Sequence, residues 1–216
     1  MRVGILGGSF DPPHVGHLML AQDVRDALQL DRLLIIPAAS QPLKPGSRTA
    51  AAHRMAMSQR CFAGLAKTEV DPIEVDRGGL SFMVDTMAAL RQRWPSAELQ
   101  LVVGQDVVAT LMQWREPARL FSMAQLVVLR RAGAVGNDFG SSDGVGASRA
   151  VPRHAVPEGA LELATRRVDV SSTEVRARVR DGRSIAGFVT DAVAAYIASA
   201  GLYLQELTAE GIFERA

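Results

Sequence analysis

Cysteine, histidine and aromatic side chains are scarce in this sequence. The 216 residues include one cysteine and four histidines, and 5% of them are aromatic. The single cysteine, Cys61, excludes a disulfide within the chain, and its place beside Phe62 in an alternately apolar stretch predicts a buried thiol rather than a nucleophile. The cysteine content therefore predicts a protein of a reducing compartment.

A large excess of one charge and a long apolar run are also absent. Lys and Arg number 24 and Asp and Glu number 23, a net charge of +1, which argues against a protein that coats nucleic acid. The apolar run at the N-terminus has five residues, too few for a signal peptide. No run approaches the roughly 20 residues of a membrane span. We expect a cytoplasmic protein that binds neither nucleic acid nor membrane.

Apolar runs of strand length alternate with longer segments of helical period. The runs cover 3–6, 33–36, 99–103 and 126–129, and the helical segments cover 15–28, 49–65, 80–93 and 105–121. Strands separated by segments of helix length predict right-handed βαβ crossovers and a buried parallel sheet. We therefore predict an α/β fold with a doubly wound, Rossmann-like parallel sheet and helices on both faces.

The rest of the chain predicts one domain with a loop and a tail. Nearly half of the residues are apolar, enough for one core, and we assign residues 1–204 to a single domain. The Gly- and Ser-rich segment 132–150 is interpreted as a tolerated surface insertion, with a lid as the alternative. Residues 205–216 form a tail. The remaining predicted elements are a strand at 163–170 and helices at 171–182 and about 189–201.

Eleven residues that follow the first apolar run combine glycine, proline and histidine: GGSFDPPHVGH, residues 7–17. Ligands of doubly wound sheets bind outside the C-terminal ends of the strands. Gly7 and Gly8 allow backbone amides to approach a phosphate closely. Two prolines stiffen the entry to a helix that carries His14 and His17 three residues apart. The segment predicts a phosphate-binding loop with two histidines directed at the ligand.

Other interpretations of this loop remain open. It matches neither the Walker motif nor the dinucleotide-binding glycine motif. Zinc ligation by His14 and His17 is one alternative, although a zinc site needs a third ligand and only Asp11 is near in sequence. A purely structural role of both histidines is the other alternative.

The loop resembles the H-x-G-H signature of the nucleotidyltransferase superfamily, whose histidines contact nucleotide phosphates. A second segment, VSSTEVR at 170–176, is similar to the I-S-S-T-x-I-R element of these enzymes, in which a serine, helix amides and an arginine hold a triphosphate. The resemblance implies that ATP is bound by Gly7, Gly8, Ser9, Phe10, His14, Gly16, His17, Ser171, Ser172 and Arg176.

Three further segments resemble one family of this superfamily, the nicotinate-nucleotide adenylyltransferases. IIPAASQPLK at 35–44 is similar to the family's I-P-x-x-x-P-x-H-K segment, with Lys44 at the lysine and Leu43 where many members have histidine. SFMVDTM at 81–87 is similar to S-Y-T-I-D-T-L, and GQDVVATLMQW at 104–114 to G-x-D-x-x-x-x-L-x-x-W.

This resemblance implies transfer of the adenylyl group of ATP to nicotinate mononucleotide, which gives nicotinic acid adenine dinucleotide and pyrophosphate. The catalytic residues that the resemblance implies are His14, His17, Lys44 and Arg176, which are expected to donate to the phosphates or to offset their charge. The implied cofactor is Mg²⁺, held mainly by the phosphates and not by a dedicated protein site. ATP and nicotinate mononucleotide are the expected small-molecule partners, and a homo-oligomer is left open.

The same resemblance assigns the remaining site residues. Gly104 and Asp106 are expected at ATP, and Asp85, Thr86 and Trp114 at nicotinate mononucleotide. Structural alternatives stand beside these roles: Asp106 as a helix N-cap, Trp114 as a core residue, and Lys44 and Arg176 as solvated charges.

Three alternative functions also remain open. One is adenylyl or cytidylyl transfer to another phosphorylated acceptor, such as nicotinamide mononucleotide or phosphopantetheine. A second is an ATP-sensing module without turnover. A third is a fragment of a class I aminoacyl-tRNA synthetase, against which the lack of a K-M-S-K-S element argues.

Overall fold

A single six-stranded sheet, all of whose strands are parallel, forms the centre of the protein. The computed structural model describes residues 1–42, 49–131, 157 and 159–204. The strands are β1 (Arg2–Gly8), β2 (Arg32–Pro37), β3 (Thr68–Val70), β4 (Glu98–Gly104), β5 (Gln125–Arg131) and β6 (Leu161–Thr165). Their order is β3-β2-β1-β4-β5-β6, the doubly wound order in which the direction of winding reverses beside β1. The predicted fold class is confirmed.

Helices of one to four turns connect the strands and cover the sheet. They are α1 (Val15–Ala27), α2 (Ala51–Cys61), α3 (Ile73–Arg77), α4 (Met83–Arg93), α5 (Gln105–Val108), α6 (Pro117–Met123), α7 (Ser172–Arg180) and α8 (Asp191–Ser199), with a short 3₁₀ turn at Leu111–Gln113. Ser171 is the N-cap of α7, and its hydroxyl accepts the backbone N–H of Glu174.

Both faces of the sheet are buried, which explains the unbroken apolar runs of the central strands. Successive residues of β1 face opposite cores: Ile5 packs with α4, α5 and α6, and Leu6 packs with α1, α2, α7 and α8. Because apolar cores cover both faces of the sheet, polar groups can meet only at the ends of the strands. Within the described part of the chain, no helix is both long and apolar enough to cross a membrane.

The helical pattern at 105–121 is interrupted in the structure. Instead of one helix it contains α5, the 3₁₀ turn and the beginning of α6. Glu116 has a left-handed backbone with φ of 50° and is followed by Pro117 at the start of α6. A proline disfavours right-handed helical geometry at the residue before it, so the break falls at Glu116.

Other elements also differ from the prediction. The helix expected at 49–65 is shorter and forms α2, and only the first part of the strand-like segment 163–170 belongs to β6. The sequence pattern did not indicate β3 or α3, because each is at most five residues long. The predicted loop at 132–150 and the tail at 205–216 lie outside the described residues.

The environment of Cys61 agrees with the prediction of a buried thiol. The residue is 2% exposed at the end of α2 and packs in the same core as Leu6. Burial raises the pKa of the thiol to about 12, because the thiolate loses its hydration there.

We therefore expect Cys61 in the folded protein to resist alkylation by iodoacetamide at pH 8 and to react once the protein is unfolded in denaturant. Mass spectrometry after timed labelling measures the reaction. As a control, Ala63→Cys places a second thiol at an exposed position nearby, and this thiol should react in the folded state. Rapid native labelling of Cys61 itself would contradict the buried environment.

Candidate functional site

The loop between β1 and α1 is anchored in the core by one aromatic side chain. Phe10 has a left-handed backbone with φ of 49°, and its ring is 2% exposed. The ring makes edge contacts with Phe62 at 6.0 Å and with His17 at 5.1 Å between centroids. The loop that begins after Gly7 and Gly8 therefore turns back onto the start of α1.

His14 and His17 are brought together at the N-terminus of α1, as predicted. His14 is the N-cap residue, and its backbone N–H donates to Nδ1 of His17 at 3.2 Å. The two ring centroids are 3.8 Å apart. A Cβ atom at Gly16 would lie 3.0 Å from the His14 ring, so the glycine allows this ring to lie against the helix backbone.

The protonation of His17 follows from these contacts. Burial, and secondarily the neighbouring His14, lowers the pKa of His17 to about 3. Because Nδ1 accepts a hydrogen bond, the proton of the neutral ring is on Nε2. His17 thus offers a neutral N–H donor rather than a positive charge.

The second predicted motif meets the first in the structure. Oγ of Ser172 donates to the carbonyl of Pro12 at 2.8 Å, and the guanidinium of Arg176 donates to the carbonyl of Asp11 at 2.6 Å. These contacts join positions 160 and 165 residues apart. Arg176 therefore holds the loop after β1 and is not simply a solvated charge on α7. Ser171, by contrast, acts as the N-cap of that helix.

The start of α4 lies at the C-terminal ends of β1 and β2. The backbone N–H of Ala39 donates to Oγ of Ser81 at 2.9 Å, and a Cβ atom at Gly7 would lie 2.8 Å from Cε of Met83. Phe82, the residue before α4, is contacted by Arg115, whose guanidinium lies 5.0 Å from the centre of the Phe82 ring. The residues that follow the 3₁₀ turn and the start of α4 thus approach each other near the loop after β1.

The three residues expected at the acceptor nucleotide have different environments. Asp85, in the first turn of α4, pairs with Arg115 at 3.5 Å. Trp114 is half-buried against the core that contains Ile5, which is compatible with both of the roles considered for it. Thr86 is fully buried.

The hydroxyl of Thr86 is engaged inside the protein. It donates to Oε1 of Glu74 at 2.7 Å and accepts from the guanidinium of Arg77 at 3.0 Å. Burial raises the pKa of Glu74. The Thr86 hydroxyl is therefore not available to a ligand, in contrast to the role expected for it.

Gly104 and Asp106 lie at the C-terminal end of β4, where the topology predicts ligand contacts. Gly104, not Asp106, occupies the N-cap of α5, so the N-cap alternative for Asp106 is wrong. The Asp106 carboxylate is exposed and folds over the glycine, because a Cβ at Gly104 would lie 2.5 Å from its Oδ1. Asp106 is therefore accessible to a ligand.

Two residues beside the loop carry no motif and were missed in the sequence. Arg54 is 2% exposed in α2 and donates to backbone carbonyls of the segments that follow β1 and β2. The Tyr203 hydroxyl donates to Oδ1 of Asp11 at 2.6 Å. Only spatial proximity identifies them, because their partners are backbone atoms or lie 192 residues away. Leu43 and Lys44 lie outside the described residues.

The described side chains therefore offer hydrogen-bond donors and positive charge at the C-terminal ends of the central strands. His17, Ser172 and Arg176 all contact the loop after β1 or belong to its end. Such groups suit an anionic ligand with several phosphate oxygens. In residues 1–42, 49–131, 157 and 159–204, no group of three or more metal-ligating side chains occurs.

Comparison with proteins of known sequence gives close relatives over nearly the whole chain. Residues 5–178 match the model of the cytidylyltransferase-like family. A protein of Gemmatimonas aurantiaca named "Probable nicotinate-nucleotide adenylyltransferase" is 58% identical over 208 residues, which are 94% of this chain and 92% of that protein. A protein of the same name from Roseiflexus castenholzii is 43% identical and is matched over 94% of this chain and 98% of its own length.

A solved structure with the same fold is more distant in sequence. The nicotinic acid mononucleotide adenylyltransferase of Plasmodium falciparum, complexed with NaAD, superposes with a TM-score of 0.71 at 15% identity over 94% of this chain and 97% of that one. At this identity the similarity concerns the fold alone. The family match and the two sequence relatives extend further: this chain belongs to the cytidylyltransferase-like family and, within it, to the nicotinate-nucleotide adenylyltransferases.

Proposed function

We propose that this protein transfers the adenylyl group of ATP to nicotinate mononucleotide, with formation of nicotinic acid adenine dinucleotide and release of pyrophosphate. The proposal rests on one observation. The two segments that resemble phosphate-binding motifs, residues 7–17 and 170–176, are in contact, because Ser172 and Arg176 donate to the loop after β1. Relatives that bear the name of this activity align with almost all of the chain, which supports the choice of acceptor.

The reaction is an in-line displacement at the α-phosphorus of ATP. An oxygen of the acceptor's 5′-phosphate forms the new bond to this phosphorus, and the bond to the bridging oxygen of the β-phosphate breaks, so that pyrophosphate leaves with the electron pair. The attacking oxygen is already anionic, and the step needs no general base. Catalysis then depends on alignment of the two phosphates and on compensation of their negative charge.

His14 and His17 are proposed to donate to the ATP phosphates. Nε2–H of the neutral His17 is a donor whose proton stays in place over the physiological pH range, since burial holds the pKa near 3. Arg176 adds a permanent charge beside the loop, and its bond to the Asp11 carbonyl keeps that charge in position. The proposal also includes Lys44, whose role follows from the resemblance in sequence alone.

Mg²⁺ is proposed as the cofactor, held mainly by the ATP phosphates. This ion prefers oxygen ligands and keeps several waters, so one or two carboxylates of the protein are enough. The exposed Asp106 at the end of β4 fits such a role, and a hydrogen bond to a ribose hydroxyl is the alternative for the same carboxylate. When bound, Mg²⁺ neutralises charge on the departing pyrophosphate.

The acceptor is proposed to bind between the start of α4 and Trp114. The exposed part of the Trp114 ring can stack on a pyridine ring. The helix N-terminus of α4 favours an anionic group such as the nicotinate carboxylate. Asp85 contributes through its ion pair with Arg115. Thr86 acts indirectly, by fixing the first turn of α4, because its hydroxyl and its backbone N–H are both bonded within the protein.

The first test is pyrophosphate release with ATP, Mg²⁺ and separate acceptors: nicotinate mononucleotide, nicotinamide mononucleotide and phosphopantetheine. We expect a strong preference for nicotinate mononucleotide. His17→Ala removes a phosphate donor and should lower the rate by about 100-fold or more. His53→Ala is the matched control, because His53 bonds to Tyr196 on α8 and not to the loop.

Each other outcome of this assay has a definite meaning. Preference for a different acceptor would preserve the phosphate site and reject the acceptor assigned here. Binding of ATP without release of pyrophosphate with any acceptor would favour the sensing module. An equal loss in His17→Ala and His53→Ala would remove the phosphate role of His17.

The neutral state of His17 gives a separate prediction. A histidine in water titrates near pH 6.5, whereas the pKa of His17 is lowered to about 3. Its imidazole signals in ¹H–¹⁵N NMR spectra should therefore not change between pH 8 and pH 5, and should show the proton on Nε2. The His17→Ala spectrum identifies these signals. A titration midpoint between pH 6 and pH 7 would contradict the lowered pKa of this ring.

A further inference from the structure

The guanidinium of Arg54 lies beneath the site and is not used in the proposed reaction. Arg54 belongs to the second turn of α2, and its side chain is almost fully buried. Burial lowers its pKa, and the nearby Asp11 carboxylate acts in the opposite direction. A charged side chain in such a place is costly unless its donors are satisfied.

The guanidinium of Arg54 donates to backbone carbonyls of three separate segments. Nη1 donates to Ser9 at 2.9 Å and to Ala38 at 2.6 Å, Nη2 donates to Ala39 at 2.8 Å, and Nε donates to Thr49 at 3.1 Å. One planar group thus connects the loop after β1, the segment after β2 and the residues before α2. The ends of β1 and β2 are also paired directly with each other, so the guanidinium adds a link between Ser9, Ala39 and Thr49, which lie beyond that pairing.

The loop after β1 is held from a second side. Asp11 receives the hydroxyl of Tyr203 on its carboxylate and the guanidinium of Arg176 on its carbonyl. Arg54 holds the loop two residues earlier, at Ser9. Between these points lies Phe10 with its left-handed backbone, so contacts on both sides fix the turn that leads to His14.

We propose that Arg54 is a positioning residue for nucleotide transfer: it contacts no substrate, and it holds the loop after β1, at Ser9, against the segment after β2 so that His14 and His17 point at the phosphates. This inference rests on the proposed function for its kinetic test. An arginine is required here, since its five donors lie in one plane, whereas a lysine offers a compact ammonium group that cannot reach the same carbonyls at once.

The chain contains a matched control, Arg91, at the N-terminal ends of the strands. Arg91 on α4 donates to the carbonyls of Pro95, Ala97 and Met123 at 3.2, 2.6 and 2.5 Å. Ala97 and Met123 precede β4 and β5, so these contacts lie at the N-terminal ends of the strands. Arg91 therefore makes the same kind of contact away from the candidate site.

The experiment compares Arg54→Lys with Arg91→Lys at a temperature at which circular dichroism shows both to be folded. We expect kcat/KM for ATP to fall by about 100-fold in Arg54→Lys, the loss that a misplacement of about 1 Å produces, mainly through kcat. Arg91→Lys should lower the melting temperature and leave kcat/KM unchanged. If Arg54→Lys does not fold, the pair Arg54→Gln and Arg91→Gln replaces it.

A spectroscopic measurement separates positioning from stability. In the wild type, Nδ1 of His17 accepts the His14 N–H, so the two ring nitrogens should have widely separated ¹⁵N shifts. Arg54→Lys should reduce this separation, since a displaced loop loses the bond, and Arg91→Lys should not. Unchanged His17 signals together with unchanged kcat/KM in Arg54→Lys, or equal kinetic losses in both variants, would overturn the proposal.

Failure of the proposed function is distinguishable from failure of this inference. If the wild type releases no pyrophosphate with any acceptor, the assigned reaction is rejected. The His17 signals and the affinity for ATP, measured by calorimetry, then test Arg54: reduced shift separation and weaker ATP binding in Arg54→Lys alone support positioning. The same values in both variants reject it.

Discussion

Parallel pairing of β1 with β2 on one side and β4 on the other is the constraint on which the rest of the structure depends. A parallel strand in the middle of a sheet must be covered on both faces, and the two cores provide this cover. The crossovers leave β1 in opposite directions, so its C-terminal end opens into the crevice between the two halves. The loop with His14 and His17, the start of α4 and the N-terminus of α7 all converge there.

The sequence predicts the central strands well and the edges poorly. Burial on both faces requires continuous apolar runs in β1, β2, β4 and β5, and these runs can be recognised in the sequence. β3 is an edge strand of three residues, Thr, Glu and Val, which is too short for an alternating pattern to be recognised. The break at Glu116 depends on one proline inside an otherwise helical pattern, a signal that the periodicity of the surrounding apolar residues obscures.

For the candidate site, residues of local motifs were predicted, whereas contacts between residues far apart in the sequence were not. His14 and His17 are neighbours on one helix, so their spacing alone indicates their proximity. The family resemblance predicts Ser172 and Arg176 at the same triphosphate as the histidines, but their contacts with the loop appear only in the structure. Arg54 donates to carbonyls, which every residue has, and Thr86 faces a buried carboxylate on another helix. Neither partner can be inferred from residue type or spacing, because the fold creates both contacts.

The bond between Tyr203 and Asp11 joins positions 192 residues apart, and this separation has a consequence for synthesis of the protein. A ribosome releases the N-terminal loop first, long before residue 203 has left the exit tunnel. During that interval β1 can pair with β2 and then with β4, but the contact of Tyr203 with Asp11 does not yet exist. A nascent chain from which residue 203 has not yet emerged therefore lacks this support, and the loop after β1 reaches its final form only after that residue is available.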